Sequence, residues 1–237
     1  MGKSIAEYDF QKGEVLLFDK ELDWTSFDLI RKLRNFLTRK TGVKKLKVGH
    51  AGTLDPKATG LMIVCTGKET KNIDLIQAKE KEYVATMKLG ATTPSYDLET
   101  QENEFFPTDH LTIGFVQEKI KAFLGETDQV PPVFSAVKID GKRAYEHARK
   151  GNDIVLQAKR ITISEMEVLN FSSNELVLRI VCSKGTYIRS LARDLGQAIG
   201  SGAYLIGLRR TRIGEMRIED AWDLKNFLEK MSDNETN

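Results

Sequence analysis

The side chains of Tyr83, Ala85, Met87 and Leu89 share one side of a two-residue period, with Val84, Thr86 and Lys88 on the other. Leu176, Leu178, Ile180 and Cys182 repeat that alternation further along. This is the period of a half-buried strand, and it commits both stretches to sheet surfaces with one apolar side each. Further strands are expected at Val15 to Phe18, in the apolar run from Leu61 to Cys65, from Val133 to Ile139 ahead of a turn at Asp140-Gly141, and from Ile161 to Phe171, which forms a hairpin with Glu175 to Cys182. Helical spacing lies between them. Ile30, Leu33 and Leu37 form one stripe behind the capping-box-like start Thr25-Ser26-Phe27-Asp28, and Ile188, Leu191, Ala192, Leu195 and Ile199 form another. Shorter helices are expected from Asn72 to Gln77, Leu111 to Leu124 and Ala144 to Lys150, with 91–109 a loop and the final SDNETN a frayed tail. Hairpins predominate and no βαβ rhythm appears, so the expected class is α+β, a central mixed, mostly antiparallel sheet flanked by helices. With 237 residues and five prolines, the chain is expected to form a single domain over 1–237, of which about 183–237 could be a short C-terminal subdomain.

No segment reaches the roughly 20 uninterrupted apolar residues of a membrane span, and the N-terminus is too polar for a secretory signal, so the cytoplasm is the expected location. Cys65 and Cys182 stand alone in apolar runs, as reduced packing residues do. The net charge of +2 hides an asymmetry. Arg31, Lys32, Arg34, Arg39, Lys40, Lys44, Lys45 and Lys47 follow one another without an intervening Asp or Glu, while 97–104 and the C-terminal stretch are acid-rich. Such a local positive field attracts phosphate, so a nucleic acid is a candidate partner.

The segment least like a generic loop is Val48-Gly49-His50-Ala51-Gly52-Thr53-Leu54-Asp55-Pro56-Lys57-Ala58-Thr59-Gly60. Its glycines permit close approach and left-handed backbone, and Pro56 holds Asp55 out of helical geometry, so a carboxylate is presented from a stiff loop beside the basic run. Taken alone, an Asp-Pro pair more often caps a turn.

The whole string resembles the signature of TruB-type tRNA pseudouridine synthases, G-H-x-G-x-L-D-P-x-A-x-G, at each fixed position. Other segments agree in order: Lys81-Glu82-Tyr83; Val130-Pro131-Pro132 with Phe134 to Lys138, Gly141 and Arg143-Ala144-Tyr145; Cys182 to Arg189 running on to Asp194-Leu195-Gly196; and Leu208-Arg209-Arg210-Thr211. The resemblance implies a pseudouridine synthase fold and isomerisation of uridine 55 in the T loop of tRNA, by base flipping, without cofactor or metal. It implies Asp55 as the catalytic carboxylate, Arg189 as its pairing cation and Tyr83 as the ring stacked on the target base. Leu208 would line the pocket, and His50 would fill the place of the extruded base. Arg31, Lys44, Lys45 and Lys47 would hold phosphates of the T arm, with Lys20 and Arg143 as further phosphate or pocket contacts. No obligatory protein partner is implied, and a monomer is expected. Where the family usually reads D-K-P-x-G-x-T-S this chain has Asp19-Lys20-Glu21-Leu22-Asp23-Trp24-Thr25-Ser26, so Glu21 and Asp23 replace a proline and a glycine. The chain also stops soon after the Leu208 segment, so no full PUA domain is expected. Two other readings compete: a guide-RNA-dependent pseudouridylase, and a tRNA-binding folding chaperone with secondary catalysis.

Overall fold

The computed structural model describes residues 7–135, 138–139, 142–143 and 156–233. It divides into two compact units, Met1–Lys81 with Arg209–Asn237, and Glu82–Leu208.

In the first unit, strand β1 (Val15–Lys20) pairs antiparallel with β3 (Ala58–Thr66), which also pairs antiparallel with the short β2 (Val48–His50). On its other side β1 pairs in parallel with β14 (Trp222–Asp223). The strand β12 (Ala203–Ile213) lies next to β3 and turns back into β13 (Met216–Arg217). β3 is an unbroken apolar run because both of its faces are buried. Met62 and Val64 join a core with Phe18, Leu29, Leu33, Leu37 and Phe227, while Leu61, Ile63 and Cys65 join Ala51, Ile76 and Ile213. Helix α1 (Ser26–Thr41) buries the expected Ile30, Leu33 and Leu37 and begins with a complete capping box between Thr25 and Asp28. It ends at Gly42 in left-handed backbone. Helix α2 (Ile73–Ala78) follows a 3-10 turn over Gly67–Asn72.

In the second unit the strand order is β12, β4 (Lys81–Leu89), β11 (Glu175–Cys182), β10 (Lys159–Phe171) and β7 (Gly125–Gln129). The alternation of β4 holds throughout, with Tyr83, Ala85, Met87 and Leu89 all buried. Helices α3 (Ile113–Lys121) and α4 (Ile188–Ala198) pack against each other, and α3 packs on β10. Within each unit the strand pairings are mostly antiparallel, with β1 and β14 parallel, and helices flank the strands, as the predominance of hairpins led one to expect.

Three local expectations change. The loop 91–109 contains a two-residue ribbon, β5 (Ala91–Thr92) against β6 (Glu104–Phe105), set by Gly90 at φ 88° with its carbonyl accepting from Phe106. Val133–Ser135 bends where a strand was expected, because the two prolines ahead of it supply no N–H and Ser135 bonds locally to the Val133 carbonyl. Among the described residues that follow, Lys138–Ile139 and Lys142–Arg143 pair as β8 and β9. The turn at Asp140-Gly141 and the helix at 144–150 fall outside the described residues. The acid-rich C-terminal stretch forms helix α5 (Leu224–Asp233), whose Leu224, Phe227 and Met231 are buried at helical spacing, so Ser232 and Asp233 belong to a helix; residues 234–237 of the tail lie outside the described residues. Both cysteines are free and buried. Among the described residues no helix is long and apolar enough to cross a membrane.

Candidate active site

The loop carrying Asp55 is held residue by residue. Ala51 N–H bonds to the Ile63 carbonyl at 2.9 Å, extending the β2 pairing to the loop's entrance. Gly52, at φ 101°, turns the chain, and its carbonyl accepts from Arg210 Nη2 at 3.0 Å. A longer contact of 3.5 Å joins Arg210 Nη1 to the Thr53 carbonyl. Ser26, buried at the start of α1, bonds Leu54 twice: its Oγ accepts from the Leu54 N–H at 2.9 Å and donates to the Leu54 carbonyl at 3.1 Å. The Asp55 carbonyl takes the Ala58 N–H at 3.0 Å, and the Pro56 carbonyl takes the Asp23 N–H at 2.9 Å. The carboxylate is therefore presented from a backbone with little freedom, as its sequence context suggested.

The turn before α1 explains how the chain manages without the family's proline and glycine. Asp23 stands at φ 63°, the left-handed region in which Asp is tolerated better than most residues. Its carboxylate pairs with Lys57 at 2.7 Å. Lys20 is fully buried, with Nζ donating to the carbonyls of Glu21 at 2.8 Å and Trp24 at 2.6 Å. The amine is spent on shaping this turn and does not reach the surface as a phosphate contact would. Burial lowers it from 10.5 to about 8; Asp55, Asp23 and Asp19 pull it up, and the Arg210 charge adds to the fall. Beside it Arg209 makes a two-point bond to Asp19, at 3.1 and 2.6 Å.

His50 is half-buried at the end of β2. Burial, then the Arg210 charge, lowers it below its ordinary value near 6.5 against an opposing pull from the Gly52 backbone. Lys44, Lys45 and Lys47 are exposed, and Arg31 is exposed with a bond to Asp28 at 3.0 Å. Arg34, read as part of the basic run, instead ties α1 to β2 through the Val48 carbonyl at 2.7 Å. A shallow groove of about 450 Å³ on the α1 side is lined by Asp23, Trp24, Asp28, Arg31, Lys32 and Asn35, with Lys32 Nζ 5.1 Å from the Trp24 ring centre. Composition alone gave no sign of it.

The second unit carries Tyr83, Arg189 and Leu208. Tyr83 is 9% exposed on the apolar face of β4. Arg189 is 6% exposed, so it is no solvent-facing helix arginine. It donates to the carbonyls of Phe134 at 2.9 Å and Ser95 at 3.4 Å, and its Nε stands 3.5 Å from Asp97, itself buried. In sequence Asp97 belongs to an acid-rich loop, and its pairing with an arginine far along the chain leaves no local mark there. The start of α4 is fixed by Gln129, whose side-chain amide bonds both the N–H and the carbonyl of Tyr187, at 2.8 and 3.1 Å. Leu208 is half-buried near the middle of β12, more open than an ordinary core leucine. The backbone of Arg143 lies in β9, and its side chain falls outside the described residues.

The fold is that of the pseudouridine synthases. A solved structure titled "Crystal Structure of a Cbf5-Nop10-Gar1 Complex" matches with TM-score 0.70 and 28% identity, covering 96% of this chain while this chain spans 56% of that one. Within that class the chain belongs to the TruB family: the family model described as "TruB family pseudouridylate synthase (N terminal domain)" matches residues 38–188, and "tRNA pseudouridylate synthase B C-terminal domain" matches residues 189–237. A protein of Phocaeicola vulgatus named "tRNA pseudouridine synthase B" is 56% identical over 96% of this chain and 97% of its own length. A Flavobacterium johnsoniae protein of the same name is 51% identical over 94% and 98%.

Proposed function

We propose that this chain converts uridine 55 in the T loop of tRNA to pseudouridine. The observation that carries this reading is the unbroken Asp55 loop, backbone-bonded at every residue from Gly52 to Pro56, in a chain 56% identical to a protein named for that activity. The reaction breaks the bond between uracil N1 and ribose C1′, turns the base and joins C5 to C1′. N1 gains a proton and C5 gives one up, so no oxidant, reductant or co-reactant is consumed. A single well-placed carboxylate can serve this chemistry, with Asp55, Tyr83 and Arg189 as the catalytic set.

A uridine inside a folded loop must leave its stack to be reached, at a cost of a few kcal/mol. His50 would take the vacated place, and Leu208 would lie against the flipped base. Arg31, Lys44, Lys45, Lys47 and Arg143 would contact phosphates of the T arm by charge and shape. Lys20 would act indirectly, by holding the turn ahead of α1. The chain works in this reading as a single catalytic domain and a monomer, in the cytoplasm, without an obligatory protein partner or guide.

The test is incubation of the purified protein with unmodified tRNA transcript, followed by carbodiimide treatment and primer extension. A new stop at position 55 without added RNA or protein is expected. A stop that appears only with a guide RNA would favour the guided enzyme, and tRNA binding without any stop would favour the chaperone.

A further inference from the structure

We propose that Arg210 is a positioning residue for the chemistry at Asp55, acting through the carbonyls of Gly52 and Thr53, with Ser26 as its counterpart on Leu54. The proposal rests on the reading of Asp55 as the catalytic group. Arg210 is 1% exposed, among the most completely buried large side chains of the protein. Among the described residues its partners are all carbonyl oxygens: Leu61 at 2.8 Å, Gly52 at 3.0 Å and Thr53 at 3.5 Å. A buried cation that meets only neutral acceptors is a poor device for stability, since an apolar side chain of similar volume fills such a space at lower cost. What a guanidinium supplies, and an apolar group does not, is a planar fork of donors that fixes several acceptors in one geometry. Two of its three acceptors lie two and three residues ahead of Asp55.

The fork is itself anchored. A Cβ at Gly60 would come within 2.3 Å of the Arg210 carbonyl oxygen, so β3 and β12 lie in close approach where the arginine emerges. A Cβ at Gly52 would press on Nη1 at 3.3 Å, which fits the guanidinium closely to that glycine. From the other side Ser26 occupies both backbone groups of Leu54. Arg210 and Ser26 thus grip the three residues immediately before the carboxylate and fix the backbone from which it projects. A displacement of about 1 Å at a reacting group can cost on the order of 100-fold in rate. Loosening either grip should therefore appear in the chemical step while leaving tRNA affinity unchanged.

The experiment measures single-turnover release of tritium from C5-labelled uridine in tRNA transcript, tRNA affinity by filter binding, and thermal melting. The variants are Arg210→Lys, Ser26→Ala and their combination, with Asp55→Asn as control. Arg210→Lys is expected to slow the single-turnover rate on the order of 10- to 100-fold, with affinity within about twofold of the parent. Ser26→Ala should give a smaller loss of the same kind, and the double variant should lose less than the product of the two, because both act on one loop. Parental rates in the folded single variants, or a rate loss matched by an equal affinity loss, would overturn the proposal. Should Arg210→Lys fail to fold, Ser26→Ala decides by the same criteria. A fully active Asp55→Asn would instead overturn the reading of the catalytic group; an inactive Asp55→Asn beside unimpaired Arg210→Lys and Ser26→Ala would overturn only the positioning role.

Discussion

Asp23 holds left-handed backbone at φ 63° with its carboxylate 2.7 Å from the amine of Lys57. The left-handed conformation costs a non-glycine residue roughly 1–2 kcal/mol, and an exposed ion pair returns about 0–1 kcal/mol. Replacing Asp23 with the glycine usual in the family should therefore leave stability within about 1 kcal/mol of the parent, since relief of strain and loss of the pair oppose each other. Asp23→Val should cost more, about 1–3 kcal/mol, because a β-branched residue tolerates this conformation least. Urea denaturation of both variants checks the order; a glycine variant weaker than the valine variant would contradict it.

Arg189 and Asp97 face each other at 3.5 Å with almost no exposure on either side chain. Breaking a buried pair by neutralising one partner typically costs about 3–5 kcal/mol. Asp97→Asn should lower the melting temperature accordingly and slow pseudouridine formation, because the arginine then keeps only the Ser95 and Phe134 carbonyls among these contacts. A variant that melts with the parent would show that the pair contributes nothing to the fold.

The Lys20 amine predicts a pH dependence. Below pH 8 the ammonium is charged in both folded and unfolded chains, and its burial opposes folding. Between its folded value of about 8 and its ordinary 10.5 the folded chain releases the proton while the unfolded chain keeps it. The unfolded state then binds more protons, so stability rises with pH across that window, by at most about 3 kcal/mol. Urea melts of the parent and Lys20→Met from pH 7 to 10.5 isolate this contribution. Their difference should move in the parent's favour as pH rises; a flat difference would contradict the burial.

Lys44, Lys45 and Lys47 are exposed beside β2. Each lysine that neutralises a phosphate releases counterions, so changing all three to Glu should weaken tRNA binding and reduce the slope of log K against log salt by roughly 2–3. Filter binding across a salt series checks it. An unchanged slope would place the RNA elsewhere.

The alternation of β4 and β11 and the stripe of α1 were legible because each element buries one face, and a single face prints a clean period. β7, GETDQ, was not, because it is a polar strand that pairs, among the described residues, with β10 alone and has no apolar side to reveal it. Helix α5 was obscured by its acidic residues, although Leu224, Phe227 and Met231 carry the spacing of a buried stripe. Asp55, His50 and Tyr83 were found by resemblance to a motif. Asp97, Gln129 and the grip of Arg210 were not, because each depends on a partner far away in sequence: Arg189, Tyr187 and Gly52. Lys20 marks the same boundary. Its charge was plain in the sequence, and its burial was a matter of packing.

If Asp55 performs the chemistry while the surrounding surface holds the RNA, removing its charge should stop turnover and spare binding. Joining C5 to the ribose expels the C5 hydrogen, so tritium placed there reports each turnover as it enters water. The parent protein should release tritium from uridine 55 of a transcript without added guide, and Asp55→Asn should release none above background while binding the same transcript within about threefold of the parent. Release by Asp55→Asn at the parental rate, or loss of binding in step with loss of release, would contradict the account.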